Sequence, residues 1–356
     1  MTGSLNQGGA EYQILLLSKL LLSKGYNAEL IALTDYTYYL PFVKENKIPF
    51  TCIKNNGNNF QRLHRAINGI IQKEPDLVIS YIKKVSQIAI LAKIFSGFKF
   101  KLMISERTSA IRYWHDIYYF NLALFSNKIL VNSISKYGYI IKRFPLIKKR
   151  TIFIPNLIDI KRFAEVHHVE SSDDSTRLTF VGRISPEKNL LNLVKAIKIV
   201  RDNGFKVCLS LFGEAHNRKY LMELNQLIKE LLLLDSVKYE GPVKDVVEIY
   251  KKTDLLCLVS YYEGLSNVLS EAISCGIPVI ASNIPENRYL IEDKRNGFLV
   301  EPVLPVSIAD GIIKYILLDQ NGVEIISNNN RKKACELFNE ETTYNAYKEM
   351  FESLIA

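Results

Sequence analysis

From residue 10 onward the chain alternates amphipathic stretches with short apolar runs. Residues 10–24 repeat apolar positions at helical spacing and stop at Gly25, a glycine suited to the left-handed position that closes a helix. AELIAL (28–33) reads as a buried strand, DLVISYI (76–82) as another after Pro75, and KVSQIAILAKIF (84–95) as the helix that follows. KLMIS (101–105), KILVNS (128–133) and TIFIP (151–155) continue the series. Strand, helix and strand at this spacing predict βαβ units and a parallel sheet. EVHHVESSDDSTR (165–177) interrupts the pattern with polar residues and no apolar period, including a His167-His168 pair expected in solvent. The alternation then restarts with RLTFVG (177–182), a helix over 190–203, KVCLSLFG (206–213), a helix over 219–234 and SVKYEG (236–241). DLLCLVS (254–260), a helix over 266–275, PVIAS (278–282), NGFLVEP (296–302) and a helical tail to residue 356 complete it. The prediction is α/β, two doubly wound parallel-sheet domains over 1–155 and 177–338, a linker over 156–176 and a last helix over 339–356. In such sheets ligands bind beyond the carboxyl ends of the strands, here expected in a central cleft that both domains face.

Length agrees, since 356 residues exceed one ordinary domain. The longest run without a charge is 14 residues, Ala272 to Pro285, and it holds Gly and two Pro, so no bilayer span is predicted. MTGSLNQGGAE carries no secretory pattern, and five scattered cysteines without a CxxC read as reduced core residues, so the expected location is cytoplasmic. No histidine spacing suits a metal, and no D-x-D pair suits a cation on a diphosphate. Charge changes the picture more. Residues 1–155 carry 22 Lys+Arg against 8 Asp+Glu, and residues 156–356 carry 24 against 29. A first half at +14 beside a second at −5 suggests an anionic partner for the first: a phosphorylated substrate, an acidic membrane surface or nucleic acid. The alternative is a basic surface kept for solubility. Nucleic acid fits poorly, because the basic half lacks a recognition motif and the phosphate-type loops lie in the acidic half.

Those loops carry the candidate chemistry. In YYEGLSNVLSEAISCGIPVIAS (261–282) a strand enters a loop and Ser266 is placed to cap the next helix. The first turn of a helix directs unpaired N–H groups and a partial positive charge at a phosphate. Gly264 allows close approach, Glu263 offers a carboxylate to sugar hydroxyls, and Glu271 is placed for a vicinal diol. The alternative is a helix bearing two solvated glutamates. FVGRISPEKNL (180–190) repeats strand, loop and helix start, with Arg183 just after Gly182 and Lys188 five residues on. Two cations at a strand end suit a diphosphate, Arg as a bidentate clamp and Lys as a point charge. The alternative pairs Arg183 with a surface carboxylate and leaves Lys188 in solvent.

GRISPEKNL, VKYEGPVKDVVEIYKKTDLLCLVSYYEGLSNVLSEAISCGIPVIAS and IPNLIDIKRF resemble the family 4 glycosyltransferases, retaining nucleotide-sugar enzymes of the GT-B fold and a bacterial surface-polysaccharide type. The family's E-x7-E signature matches Glu263 and Glu271, and GGAE resembles its N-terminal glycine loop at Gly8 and Gly9. The resemblance implies that Arg183 and Lys188 hold the donor diphosphate and that Glu263 contacts the transferred sugar. Gly264, Leu265, Ser266 and Asn267 would hold sugar and phosphate, Glu271 the ribose, and the turn at Gly241, Pro242 and Val243 the base. It implies that the last helix returns to the first domain, and that no metal and no cofactor are needed. The substrates implied are a nucleotide-diphosphate sugar, expected to be UDP-linked, and a saccharide or polyprenyl-linked acceptor. An epimerase or nucleotide-sugar hydrolase on the same fold is the alternative.

Three departures stand out. The family's first strand precedes its glycine loop, but here the loop starts four residues after Met1, so the first strand is expected to be missing from a truncated start. LFGEA (211–215) has one glycine where the family has two. After KLMIS the family's histidine is replaced by Glu106 and Arg107, which are expected on the acceptor side unless they form a salt-bridged loop. Finally, SAIRYWHDIYYFNLALFSNKIL (109–130) mixes aromatics with cations near Lys142-Arg143 and Lys148-Lys149-Arg150. That suits peripheral docking on an anionic membrane at its inner face; the alternative is that these aromatics pack in the core.

Overall fold

The computed structural model describes all residues except 7, 35–37, 54–56, 167, 170–173, 244 and 356. His167 and part of the expected linker therefore lie outside the described residues. Two units emerge: Met1–Leu157 with Glu340–Ala356, and Ile158–Asn339.

In the first unit β1 (Leu30–Ala32) pairs in parallel with β2 (Phe50–Cys52). β3 (Leu77–Tyr81), β4 (Lys101–Glu106), β5 (Lys128–Val131) and β6 (Thr151–Phe153) form a parallel sheet in that order. Met1 and Thr2 join the two pieces. Thr2 N–H donates to Ile31 O at 2.9 Å on one side, and Tyr81 N–H donates to Met1 O at 3.0 Å on the other. Among the described residues no strand precedes β1, and Thr2 makes only an isolated bridge to Ala32. The sequence pattern gives no sign of β2, a half-buried run of three residues directly after Pro49.

Helix Gly9–Ser23 buries Ile14, Leu15, Leu17, Leu20 and Leu21 and ends at Gly25, whose φ is +82°. The last helix, Glu340–Ile355, places Tyr347, Met350, Phe351 and Leu354 in the same apolar cluster as those leucines. Burial of that apolar stripe holds the tail to this unit.

The second unit contains one six-stranded parallel sheet made of β7 (Thr176–Val181), β8 (Val207–Phe212), β9 (Val237–Gly241), β10 (Leu255–Leu258), β11 (Val279–Ser282) and β12 (Phe298–Val300). Their order is β12-β11-β10-β7-β8-β9, which reverses direction between β7 and β10. The linker expected over 156–176 needs correction: Ile158, Phe163 and Val166 pack into this unit's core. Their spacing on the short helix Ile160–Ala164 and around it gives the segment an apolar face, so burial decides its place.

Candidate active site

Three glycines end adjacent strands in the second unit. Gly182 N–H donates to Phe212 O at 2.9 Å and Gly213 N–H donates to Gly241 O at 2.7 Å, so the loops after β7, β8 and β9 are pressed together. A Cβ on Gly213 would sit 1.8 Å from Gly182 O, and its φ of +139° excludes ordinary side chains. A single glycine, Gly213, makes this close approach.

Beyond Gly182 the chain makes one 3₁₀ turn, Pro186–Lys188, and Asn189 then takes the left-handed conformation at φ +59°. Asn189 is buried, and its Nδ2 donates to Val259 O at 3.0 Å and Pro302 O at 2.6 Å. Tyr261 N–H donates to Glu187 O at 3.0 Å. These bonds fix the loop after β7 against the loop after β10. As a result Lys188 Nζ meets Glu263 Oε1 at 2.5 Å, and Ser260 Oγ donates to the same oxygen at 2.6 Å. The Lys188 and Glu263 side chains are 13% and 12% exposed, so the pair is largely shielded from water. Arg183, in contrast, is 65% exposed and lies 3.3 Å from Glu187 Oε1. Each expected cation thus faces a carboxylate, Arg183 in a surface pair as in the alternative reading, and Lys188 in a shielded one and not in solvent.

Glu263 leads directly into helix Asn267–Cys275. Ser266 Oγ accepts from Leu269 N–H at 3.3 Å, and Gly276 closes the helix at φ +78°. Leu265 packs into the core while Gly264 and Asn267 are half-buried. Glu271 is only 6% exposed, and its Oε2 accepts from Tyr250 Oη–H at 2.9 Å. Burial pushes its carboxyl up from 4.5 to about 7, against the hydrogen bond from Tyr250 and the nearby charge of Arg162. Glu271 is therefore a closed-off carboxyl in this structure and not a solvated one. Pro242 is exposed and Val243 half-buried at the end of β9, ahead of Asp245, which caps helix Val246–Tyr250.

Sequence reasoning missed Asn189, Ser260 and Tyr250. An asparagine just before a helix tolerates the left-handed region, so Asn189 carried a readable signal. Ser260 and Tyr250 did not, because their partners are set by how loops and helices pack.

The residues expected on the acceptor side fall in the first unit. Gly8 and Gly9 open helix Gly9–Ser23. Glu106 ends β4 with 2% exposure and lies 3.1 Å from Lys83 Nζ. Lys83 also reaches Asp116 at 2.7 Å, and fully buried Lys136 reaches the other oxygen of Asp116 at 2.5 Å. Burial raises the Glu106 carboxyl above the usual range in spite of Lys83 and Lys136. Glu106 thus follows the salt-bridge alternative and offers no open carboxylate. Arg107 donates to Asn156 Oδ1 at 2.6 Å and lies 5.1 Å over the Tyr81 ring.

Residues 162–333 match the family described as Glycosyl transferases group 1. Over 202 residues the chain is 31% identical to UDP-Gal:alpha-D-GlcNAc-diphosphoundecaprenol alpha-1,3-galactosyltransferase of Escherichia coli, covering 52% of this chain and 50% of that relative. Only half the length of that relative is therefore spanned. Over 318 residues it is 28% identical to the amylovoran biosynthesis glycosyltransferase AmsD of Erwinia amylovora, covering 83% and 85% of the two chains. Its fold resembles that of Anabaena Alr3699/HepE in complex with UDP-glucose, with a TM-score of 0.85, 22% identity and coverage of 99% and 98%. The chain has a GT-B fold, and its second unit carries a glycosyl transferases group 1 domain.

Proposed function

We propose that this chain is a retaining family 4 glycosyltransferase that moves a sugar from a UDP-sugar to a saccharide or polyprenyl-linked saccharide acceptor in bacterial polysaccharide assembly. The observation that carries the reading is the meeting of Lys188 and Glu263 at the entrance to the Ser266-capped helix. A lysine ammonium has three donors, so Lys188 can keep Glu263 while turning another N–H to a phosphate oxygen. The helix's first-turn amides face the same charge. Arg183 gives up only an exposed pair when it swings to the diphosphate, and such pairs contribute about 1 kcal/mol at most. Cleavage at the anomeric carbon drives negative charge onto the departing diphosphate. Cations and amides fixed there act most strongly in the transition state. These protein cations supply the neutralisation that a metal would otherwise provide, and the proposal is that none is required.

The names of the relatives support the substrate classes: the E. coli protein is named for UDP-Gal and a diphosphoundecaprenol-linked acceptor. Among the described residues no helix is long and apolar enough to cross a membrane. A peripheral place on the inner face of the plasma membrane suits a lipid-linked acceptor.

The reading is tested by thermal shift with UDP, GDP and UMP, followed by UDP release from a panel of UDP-sugars with and without acceptor. UDP should raise the melting temperature, and Lys188→Ala should diminish that shift far less than it lowers turnover. No stabilisation by any nucleoside diphosphate would overturn the donor site. Release that ignores the acceptor would overturn transfer.

A further inference from the structure

Helix Tyr113–Leu122 divides its aromatics between two environments. Tyr119 and Phe120 are buried, whereas Trp114 is 79% and Tyr118 61% exposed, with Tyr113 and Ile111 also outside. Trp114 and Tyr118 are four residues apart and share one face. Arg143, at the end of helix Ile134–Arg143, donates to Tyr113 Oη at 2.7 Å, and the Tyr113 and Trp114 rings are 5.3 Å apart. Arg112 and Lys142 are exposed beside them in sequence.

The charge on this stretch is one-sided. Residues 109–150 hold eight Lys+Arg and a single acidic residue, Asp116. Asp116 is fully buried, and its two oxygens are taken by Lys83 and Lys136. No carboxylate of the stretch is left to balance its surface cations, and no salt bridge among the described residues involves Arg112, Lys142 or Arg143. Asp116 also anchors the backbone that presents the aromatics: it accepts from Arg112 N–H at 3.2 Å, while Lys136 Nζ donates to Ala110 O at 2.9 Å.

We propose that this face docks on an anionic lipid bilayer, with Trp114, Tyr118, Tyr113 and Ile111 entering the headgroup layer and Arg112, Lys142 and Arg143 meeting lipid phosphates. Tyrosine and tryptophan suit a boundary that is apolar at one end and wet at the other. Uncompensated cations beside them suit an acidic leaflet. A held backbone lowers the ordering cost of docking. The inference deepens the membrane part of the proposed function and does not depend on the donor chemistry.

Trp114 is the chain's single tryptophan, so its emission reports on the docking face alone. The full chain is titrated with vesicles of phosphatidylcholine, with and without phosphatidylglycerol, at low and high salt, and sedimentation is followed in parallel. The expected result is a blue shift of emission and co-sedimentation with phosphatidylglycerol vesicles, weakened by salt and absent with phosphatidylcholine alone. Arg112→Ser/Lys142→Ser/Arg143→Ser should lower partitioning about fivefold per cation, on the order of a hundredfold in all, with the circular dichroism and melting temperature of the parent. Tyr118→Ser, which leaves the reporter in place, should weaken binding too. Failure to bind acidic vesicles at low salt overturns the proposal. So does binding with unchanged emission that the triple substitution does not affect, or equal binding to phosphatidylcholine. The thermal shift with UDP, measured on the same triple variant, should match the parent; its loss in the parent would sink the donor reading and leave this one standing.

Discussion

Two lysine–carboxylate pairs sit at the carboxyl ends of parallel strands, one in each unit, and they differ in what surrounds them. Lys83 and Glu106 belong to a network with Asp116 and Lys136, where two lysines and two acids neutralise one another. Lys188 and Glu263 lie beside an equally balanced neighbour pair, Arg183 and Glu187. Charge count therefore does not separate them. Access does. Glu106, Asp116 and Lys136 are buried, whereas Arg183 stands in solvent and the Lys188 pair borders the start of a capped helix. The first arrangement is a staple that fixes a loop; the second can exchange a protein partner for a phosphate.

Removing one charge from each region sharpens that contrast most. Asp116→Asn removes the carboxylate that pairs directly with buried Lys136, and breaking a buried pair in this way costs about 3–5 kcal/mol. Urea unfolding followed by far-ultraviolet circular dichroism should show the loss while the melting shift with UDP persists; a change below about 1 kcal/mol would mean the network is no staple. Lys188→Ala should instead lower turnover about 10²- to 10³-fold, with KM for the nucleotide sugar moving less. Steady-state kinetics within threefold of the parent would remove Lys188 from leaving-group stabilisation.

Glu271 offers a third comparison, a buried carboxyl without a lysine. Its raised pKa means that the stability it leaves intact below pH 4.5 is lost as pH rises through about 7. Glu271→Gln should therefore raise stability by about 3 kcal/mol at pH 8 and by nothing near pH 4. Melting temperatures across that range test the sign, and a gain that did not vary with pH would refute the burial argument. Arg183→Ala should have the smallest effect, about a tenfold loss of turnover, because an exposed side chain is a poorly preorganised donor. Its melting temperature should equal the parent's, since an exposed i,i+4 pair contributes about 0.3–0.5 kcal/mol.

The fold was readable where local pattern controls it. The strands from β3 to β12 fall where apolar runs stand between amphipathic helices, and Ser266, Gly25 and Gly276 cap or close helices as their chemistry dictates. β2 escaped because three half-buried residues make too short a period to detect. In the candidate site, the loop after β7 and the loop after β10 were identified as cationic and acidic, but not as partners.

The amino-acid sequence alone determined the alternation of strands and helices, the caps, the charge split between halves and the positions of Arg183, Lys188, Glu263 and Glu271, because each depends on near neighbours. Tertiary structure decided the rest. Lys188 meets Glu263 across 75 residues, Asp116 is hidden between Lys83 and Lys136, Trp114 faces outward while Tyr119 faces inward, and Met1 and Thr2 exchange backbone hydrogen bonds with Tyr81 and Ile31. Those outcomes follow from which loops pack against which. That is settled by burial of the whole core and leaves no local period in the chain.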